Sequence, residues 1–207
     1  MIRFVRWSFL FAAAFPSLPA LAGPPDPGQS TAPHCIHLVA RNLSGVPDPF
    51  GNFCVTARDA TGAPVAGALV EVAFGGCTDV SICDSNDDPA VLVDCATHTV
   101  SRIAGADGAA CFTLTGGTRV GPCSAAGCAQ IRANGVVLGS ASVAAFDYDS
   151  APTIGAADGS IWLDTYFNLG CPRVDCDCSG EITAADFSMW QAHYFGNWVQ
   201  ACSHRCP

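Results

Sequence analysis

A run of twelve residues near the C-terminal end carries side-chain oxygens at the spacing that a calcium ion requires. The run reads Asp175-Cys-Asp-Cys-Ser-Gly-Glu-Ile-Thr-Ala-Ala-Asp186. Oxygen-bearing side chains occupy positions 1, 3, 5, 9 and 12, and these are Asp175, Asp177, Ser179, Thr183 and Asp186. Calcium takes roughly six to eight oxygen ligands, and a loop of this pattern can supply them. The spacing therefore predicts a Ca²⁺ site.

Two other positions of this loop favour the same interpretation. Gly180 stands at position 6, where the backbone must turn sharply, and the apolar Ile182 stands at position 8. An ordinary acidic turn is the alternative, but it would not need both residues together with a carboxylate at position 12.

The loop is the second copy of a duplicated unit. A shift of 28 residues lays residues 147–168 over 175–196 with ten identities in 22 positions. Such a period marks a repeated supersecondary unit. Each copy predicts a loop followed by a helix, because a tryptophan and a tyrosine lie four residues apart on one helical face. We expect these aromatic residues (Trp162, Tyr166, Trp190 and Tyr194) to pack between the two helices, with a ligand platform as the alternative.

The first copy is altered at the positions that would bind the metal. Asp147, Asp149 and Asp158 retain the carboxylates of positions 1, 3 and 12, but Ala151 offers no side-chain oxygen at position 5. Pro152 takes the place of the glycine, and proline cannot adopt the positive φ that this turn favours. The sequence leaves open whether the first loop binds calcium weakly, binds it with additional waters, or stays empty.

A duplicated Asp-x-Asp-x-Ser-Gly-x-Ile-Thr-x-x-Asp loop with one helix after each copy resembles the type I dockerin domain. The resemblance covers about residues 147–196 and implies two antiparallel F-hand calcium loops, which are EF-hands without the entering helix. It implies that Asp175, Asp177, Ser179, the Glu181 carbonyl and Asp186 ligate Ca²⁺ in the second loop. In the first loop it implies Asp147, Asp149 and Asp158.

The resemblance also implies a partner, a cohesin-like protein module, and a place in extracellular polysaccharide-degrading assemblies. Positions 10 and 11 of the loop contact the cohesin in the best-known members of the family. Here both copies carry an alanine pair, Ala156-Ala157 and Ala184-Ala185. We therefore expect a recognition surface that differs from the cellulosomal one but keeps a pseudo-two-fold symmetry.

The N-terminus predicts export. Arg3 and Arg6 precede an apolar run at residues 7–15, and an Ala20-Leu21-Ala22 site follows. This order is typical of a signal peptide, here residues 1–22, cleaved after Ala22. The run is too short for a membrane anchor, which needs about 20 apolar residues, and no later segment predicts a membrane span. We expect a secreted protein, extracellular or at the cell surface.

Thirteen cysteines agree with an oxidising destination. Eight lie between residues 35 and 128, which is enough for four disulfides, and five lie in the tail. At least one tail cysteine must be unpaired, bond across domains or bond to another chain. A zinc site is the alternative, but Cys176-x-Cys178 lacks the two-residue spacer of a zinc knuckle.

The charge excludes some partners. The net charge is −9, and it becomes −11 without residues 1–22, because seven arginines, no lysine and 18 acidic residues remain. Such a surface repels nucleic acid and anionic lipid but suits calcium.

The middle of the chain predicts a mainly β domain. Residues 23–33 form a proline-rich linker, and short apolar runs alternate with turns through residues 34–146. Two segments, 53–72 and 106–115, resemble strands of bacterial Ig-like domains, which implies a β-sandwich. Strands are predicted at 35–40, 53–58, 68–74, 97–103, 110–115, 128–133 and 136–145, with a hairpin turn at Asn134-Gly135. The whole chain is thus expected to be a disulfide-rich Ig-like sandwich followed by a small all-α dockerin-like domain at residues 147–207.

An acidic loop at Asp84, Asn86 and Asp88 resembles a metal loop less closely. Pro89 takes the glycine position and Cys95 falls at position 12, so we expect a solvated loop closed by a Cys83–Cys95 disulfide.

Enzymatic motifs are missing from the sequence. It contains no Gly-x-Ser-x-Gly, His-Glu-x-x-His or Gly-x-Gly-x-x-Gly, and only two glutamates, Glu71 and Glu181. We expect a non-catalytic calcium-binding protein. The alternatives are a surface-structural or adhesive protein with a calcium-stiffened end, or a small hydrolase targeted by its dockerin. A polysaccharide is a second ligand class that the sandwich could bind.

Overall fold

The computed structural model describes residues 22–119, 123–151, 153–168, 170–196, 198, 202 and 204–206. The predicted signal peptide, apart from Ala22, and Pro152 of the first loop lie outside these residues.

The described residues form nine strands, two α-helices and two short 3₁₀ helices. The strands are β1 (Cys35–Val39), β2 (Asn52–Thr56), β3 (Leu69–Ala73), β4 (Val80–Ile82), β5 (Leu92–Asp94), β6 (Thr99–Ile103), β7 (Ala109–Thr118), β8 (Ala129–Ala133) and β9 (Val136–Ala145). The α-helices are α1 (Ala156–Asn168) and α2 (Ala184–Phe195), and the 3₁₀ helices are Pro49–Gly51 and Pro172–Val174. Strands occur at all seven predicted positions; β4 and β5 were not predicted.

The strands make a single curled sheet of mixed direction, so the predicted Ig-like β-sandwich is wrong. The strand order is β2-β7-β1-β9-β8-β3-β6-β5, with β4 paired to β7. Strand β1 lies between β7 and β9 and is parallel to both, whereas the other pairs are antiparallel. Alternating hydrophobicity indicates which face a strand buries but not which strand becomes its neighbour. For this reason the strand positions were predictable and their arrangement was not.

The hairpin between β8 and β9 has the predicted turn. Asn134 and Gly135 both adopt a positive φ, 47° and 79°, as a two-residue type I′ turn requires. The turn is further fixed by the Asn134 side chain, which accepts a hydrogen bond of 2.8 Å from the Leu69 amide.

The main core gathers buried side chains from most of the strands and uses the alternation of buried and less buried residues along them. In β7, Ala110, Phe112 and Leu114 are buried, and Phe53 of the neighbouring strand stacks on Phe112 with ring centroids 5.3 Å apart. Burial of such side chains contributes about 1.5–3 kcal/mol each relative to exposure.

The tail packs against the sheet, so the predicted separate all-α dockerin-like domain is also wrong. A second core cluster joins Val39 and Phe146 of the sheet region to Trp162 and Trp190 of the two helices. The indole of Trp190 donates a hydrogen bond of 3.2 Å to the Phe146 carbonyl. The helices thus bury Trp162 and Trp190 against each other and against the sheet, so they do not form an independent core, whereas Tyr166, expected to pack between the helices, is 44% exposed.

Disulfides connect the tail to the sheet. Two bonds, Cys54–Cys111 and Cys77–Cys128, lie within residues 34–146. Four join that region to the tail: Cys35–Cys178, Cys83–Cys202, Cys95–Cys206 and Cys123–Cys171. The predicted Cys83–Cys95 bond is therefore wrong, because each cysteine pairs with the C-terminal segment.

Six disulfides indicate an oxidising, extracellular environment. Neither helix in the described part of the chain has the length and apolar character needed to cross a bilayer.

A buried ion pair fixes the segment that leads into the second loop. Arg173 donates two hydrogen bonds to the Asp79 carboxylate, 3.0 and 2.8 Å long, and a third of 2.7 Å to the Val143 carbonyl of β9. Both side chains are almost fully buried. Because these bonds fix the 3₁₀ helix to the sheet, they also fix where the next residue, Asp175, begins the second loop.

Candidate metal centre

The second loop runs from the end of the 3₁₀ helix Pro172–Val174 to the first turn of α2. Thr183 is the N-cap of α2 and accepts a hydrogen bond of 3.2 Å from the Ala185 amide. Asp186 accepts one of 2.7 Å from the Thr183 amide, which completes a capping box. The helix predicted after this loop is confirmed, and its capping residues are two of the predicted ligands.

Three predicted carboxylate ligands converge. One oxygen from each of Asp175, Asp177 and Asp186 lies within 4.8 Å of the other two. Asp186 is fully buried, Asp175 is 7% exposed and Asp177 is exposed. Like charges at this spacing repel, and the repulsion is strong where water is excluded. The arrangement favours a cation between them.

The backbone of the loop makes the turn expected at position 6. Gly180 has φ +89°, and a Cβ there would meet no atom within 4 Å, so glycine is needed for conformation and not for space. In this turn two backbone amides point at the carboxylate of Asp175, the residue at position 1. Asp175 accepts hydrogen bonds from the Ser179 amide at 3.0 Å and from the Gly180 amide at 2.8 Å.

The oxygens of positions 5 and 7 lie together at the exposed mouth of the loop. The Ser179 hydroxyl donates to the Glu181 carbonyl at 3.1 Å. The Thr183 hydroxyl, at position 9, lies 3.2 Å from Asp186 and caps the helix. A residue at this position commonly reaches calcium through a water.

The pKa values of two neighbouring carboxylates of the loop, Asp175 and Asp177, are shifted in opposite directions. Burial raises the pKa of Asp175, and the nearby Asp186 raises it further. Hydrogen bonds from Ser179 lower the pKa of Asp177.

The donor set consists of hard oxygens, which suits Ca²⁺ or Mg²⁺ and not a thiophilic metal. Cys178 is bonded to Cys35 and has no thiolate to offer zinc.

The loop is anchored to β1 by residues that sequence reasoning missed. Cys178 at position 4 forms its disulfide with Cys35, and the His37 ring lies 2.6 Å from the Cys176 carbonyl. Cys176 itself is buried, and it is the one described cysteine outside a disulfide. No signal within the loop itself could identify these partners, because β1 lies about 140 residues away in sequence.

The first loop brings together Asp147, Asp149 and Asp158, whose carboxylates lie within 4.8 Å of one another. Asp158 accepts from the Tyr148 and Gly155 amides at 2.6 and 2.7 Å. The helix predicted after this loop is confirmed as α1. The two copies therefore hold their position-12 carboxylates in the same way, each bonded to amides of its own loop.

An arginine occupies the side of the first loop where positions 1 and 5 meet. Arg205 donates to the Asp147 carboxylate and, at 3.0 Å, to the Ala151 carbonyl. Burial raises the pKa of Asp147 to about 6, while the charge of Arg205 opposes the increase. Sequence reasoning missed Arg205, since it lies 58 residues from Asp147 and belongs to no motif.

The acidic loop at residues 84–88 uses its oxygens internally, in line with the prediction of an ordinary loop. Asp88 forms an ion pair of 2.6 Å with Arg102, and Asn86 donates to the Thr113 carbonyl at 2.9 Å. Asp87 pairs with Arg41.

Comparison of the chain with protein-family models, with curated proteins and with solved structures found no match. The likeness to dockerins therefore remains a prediction made from the residues of the two loops.

Proposed function

We propose that this chain is a secreted, non-catalytic protein that binds one Ca²⁺ in its second loop and docks through its two loop–helix units onto a cohesin-like protein module. The observation that carries the proposal is the convergence of Asp175, Asp177 and Asp186 within 4.8 Å. The turn at Gly180, φ +89°, supports it independently.

In this proposal the ligands are the carboxylates of Asp175, Asp177 and Asp186, the Ser179 hydroxyl and the Glu181 carbonyl. Thr183 contributes through a water while it caps α2. Three carboxylates against a divalent ion leave one net negative charge instead of three, which relieves repulsion between partly buried groups. Because only the folded loop gathers these oxygens, calcium stabilises the folded protein by mass action.

The proposal assigns the first loop a different cation. Arg205 already neutralises Asp147 and uses the Ala151 carbonyl, an oxygen that a metal in this loop would need. Ala151 also lacks a side-chain oxygen. Asp147, Asp149 and Asp158 therefore form an acidic cluster held by a guanidinium, and the expected stoichiometry is one calcium per chain.

A docking role is supported by the surface beside the two loops. The alanine pairs at positions 10 and 11 are exposed at the start of each helix. Near the other end of each helix Phe167 and Phe195, which are equivalent in the repeat, are 73% and 71% exposed. Contiguous exposed apolar surface is typical of an interaction site, and Tyr166, 44% exposed, extends the patch at Phe167 with ring centroids 5.0 Å apart.

A second candidate is a surface-structural or adhesive protein whose calcium only stiffens its end. The Cys35–Cys178 bond favours it, because the loop is already attached covalently to the sheet. A hydrolase ranks lower: a cavity of about 320 Å³ between α1 and the sheet holds Asp79 and Arg173, but these bond to each other.

Calorimetric titration of the purified protein with CaCl₂ tests the metal site. We expect the titration to show binding of one equivalent of Ca²⁺ per chain. This binding should be lost in Asp175→Asn and retained in the matched variant Asp94→Asn, which changes an exposed carboxylate in a turn. Absence of binding in the wild-type protein would refute the proposal. Capture of the protein by immobilised cohesin modules, with calcium and with EGTA, separates docking from stiffening.

A further inference from the structure

The segment that follows the predicted signal peptide is bound along the edge of the sheet. The Asp26 amide donates to the Arg58 carbonyl at 2.7 Å, and Thr31 and Thr56 exchange two backbone hydrogen bonds of 2.9 Å. Pro25 is buried, whereas Ala22 is exposed. This N-terminal arm, residues 23–31, is therefore held to the sheet from its first residues.

The arm begins at a buried carboxylate. Asp59 is 7% exposed, and one of its oxygens accepts three hydrogen bonds from its own turn: from the Thr61 amide (2.9 Å), the Thr61 hydroxyl (2.7 Å) and the Ala63 amide (3.0 Å). Within the described part of the chain, the other oxygen accepts one hydrogen bond, from the Gly23 nitrogen at 3.1 Å. Hydrogen bonds from Thr61 and from Gly23 lower the pKa of Asp59 to about 2. The carboxylate is thus charged at neutral pH.

No basic side chain neutralises this charge in the described part of the chain. The arginine ion pairs there involve Asp79, Asp87, Asp88 and Asp147, and the His193 ring contacts Asp48, but none of these side chains pairs with Asp59. Buried charges are ordinarily paired. The atom in place to pair with Asp59 is the nitrogen of Gly23, which is the residue after the predicted cleavage site.

We propose that Gly23 is the first residue of the mature protein and that its α-ammonium group, created by removal of the signal peptide, forms an ion pair with Asp59 that fixes the N-terminal arm to the sheet. The proposal depends on the secretion part of the proposed function and is independent of calcium.

The step is a hydrolysis with water as the co-reactant and a signal peptidase as the catalyst. The oxygen of water bonds to the carbonyl carbon of Ala22, and the bond from that carbon to the Gly23 nitrogen breaks. Ala22 leaves as a carboxylate at the end of the released peptide. The two protons of water pass to the Gly23 nitrogen, which becomes an ammonium group with three donors in place of the single amide donor.

Cleavage should strengthen the contact between the Gly23 nitrogen and Asp59, because the nitrogen becomes positively charged. A hydrogen bond between two charged groups is shorter and stronger than one from a neutral amide. Before cleavage Asp59 has a single neutral donor on its second oxygen, and after cleavage it has a cation at the same place. The precursor should therefore hold its arm more weakly than the mature protein.

The composition of the chain allows a direct test. It contains no lysine, so the α-amine is the only primary amine in the mature protein. The full chain is exported from cells with its own signal peptide, and the product is analysed by N-terminal sequencing. The rate of acylation by an N-hydroxysuccinimide ester is then measured against pH, which reports the pKa of the α-amine.

We expect the sequence to begin at Gly23 and the pKa of its amine to exceed the ordinary range of about 7.7–8.0. Each unit of increase slows acylation near neutral pH about tenfold. Asp59→Asn should return the amine to the ordinary range. The matched control is Asp94→Asn, because Asp94 also accepts from a backbone amide (2.9 Å) and a threonine hydroxyl (2.7 Å) in a turn; it should leave the rate unchanged.

Acetylation of the wild-type α-amine provides a readout that requires no mutation. It should lower the melting temperature of the wild-type protein and have no such effect on Asp59→Asn. A product that begins elsewhere than Gly23, or an amine of ordinary pKa in the wild-type protein, would overturn the proposal. A retained, uncleaved chain would contradict secretion as well, whereas failure of calcium binding alone leaves this inference intact.

Discussion

The guanidinium of Arg205 and the carboxylate of Asp147 form an ion pair at position 1 of the first loop. The same guanidinium bonds to the Ala151 carbonyl, so an organic cation lies where the second copy would place a metal ion. In our proposal the two copies of the repeat relieve the repulsion between three carboxylates with different cations, a guanidinium in the first loop and Ca²⁺ in the second.

Arg205→Ala is predicted to change both stability and calcium stoichiometry. Removal of one partner from a buried ion pair leaves Asp147 uncompensated, and the expected loss in unfolding free energy without calcium is about 3 kcal/mol. Calorimetry should then find a second, weaker equivalent of Ca²⁺. Arg132→Ala is the control, because that arginine is exposed and bonds to Gln130. A stoichiometry that stays at one in Arg205→Ala would contradict the role given to the guanidinium.

The raised pKa of Asp147 predicts that the stability of the folded protein depends on pH. Its pKa in the folded protein is raised from 3.8 to about 6, so the folded state binds more protons than the unfolded state between these values. The contribution of this group is therefore present below pH 3.8 and is lost as the pH rises to about 6, on the order of 3 kcal/mol. Urea titrations of wild-type and Asp147→Asn protein measure it: the wild type should lose stability relative to the variant across this window. A constant difference would show that the pKa is not raised.

Gly180→Ala should weaken calcium binding for a purely conformational reason. The added methyl group meets no atom within 4 Å, so it causes no clash. The backbone φ is +89°, however, and a residue with a side chain is less stable in this conformation by roughly 1–2 kcal/mol. The affinity should fall about fivefold to thirtyfold, since 1.4 kcal/mol corresponds to a factor of ten. Gly45→Ala is matched, with φ +80° and open space around it outside the metal loops, and should cost stability without a change in affinity.

Asp186 has two roles that substitutions can separate. It is the predicted ligand at position 12 and the acceptor of the capping box on α2. Asp186→Asn keeps a side-chain oxygen for the cap, so we expect weaker calcium binding with little loss of stability in EGTA. Asp186→Ala should lose both, with an additional destabilisation of about 1 kcal/mol in EGTA. Thermal unfolding of each variant with and without calcium checks the separation. Equal stability of the two variants in EGTA would argue against the capping role, and stabilisation by calcium as large as in the wild-type protein would argue against the ligand role.

His193 tests the packing of α2 on the sheet. Its ring stacks on Phe146 with centroids 3.5 Å apart, and burial lowers its pKa below 6.5. The stability that this group contributes is therefore present above pH 6.5 and is lost as the pH falls below it. Titration of the His193 ring followed by NMR should give a pKa below 6.5. An ordinary value at His193 would mean that α2 does not pack here.

Local features of this chain were predictable from sequence because they depend on nearby residues. The seven strand positions, the Asn134-Gly135 turn and both helices follow from periodicity and turn chemistry. The convergence of Asp175, Asp177 and Asp186 follows from spacing within one loop.

Long-range pairings were not predictable, and they decide the architecture. Parallel pairing of β1 with β7 and β9 has no local signature, and it turns the expected sandwich into one curled sheet. The disulfide from Cys178 to Cys35 and the ion pair from Arg205 to Asp147 join residues far apart in sequence. Each of these contacts brings the tail onto the sheet, which is why the expectation of two separate domains failed.

The four disulfides between the tail and the sheet determine how the molecule would respond to pulling. A receptor that drags on the helices cannot peel them from the strands, because Cys35–Cys178, Cys83–Cys202, Cys95–Cys206 and Cys123–Cys171 carry the load through covalent bonds. If the protein docks as we propose, the weakest connection under tension is the non-covalent contact with its partner. The protein would then detach intact before it unravelled.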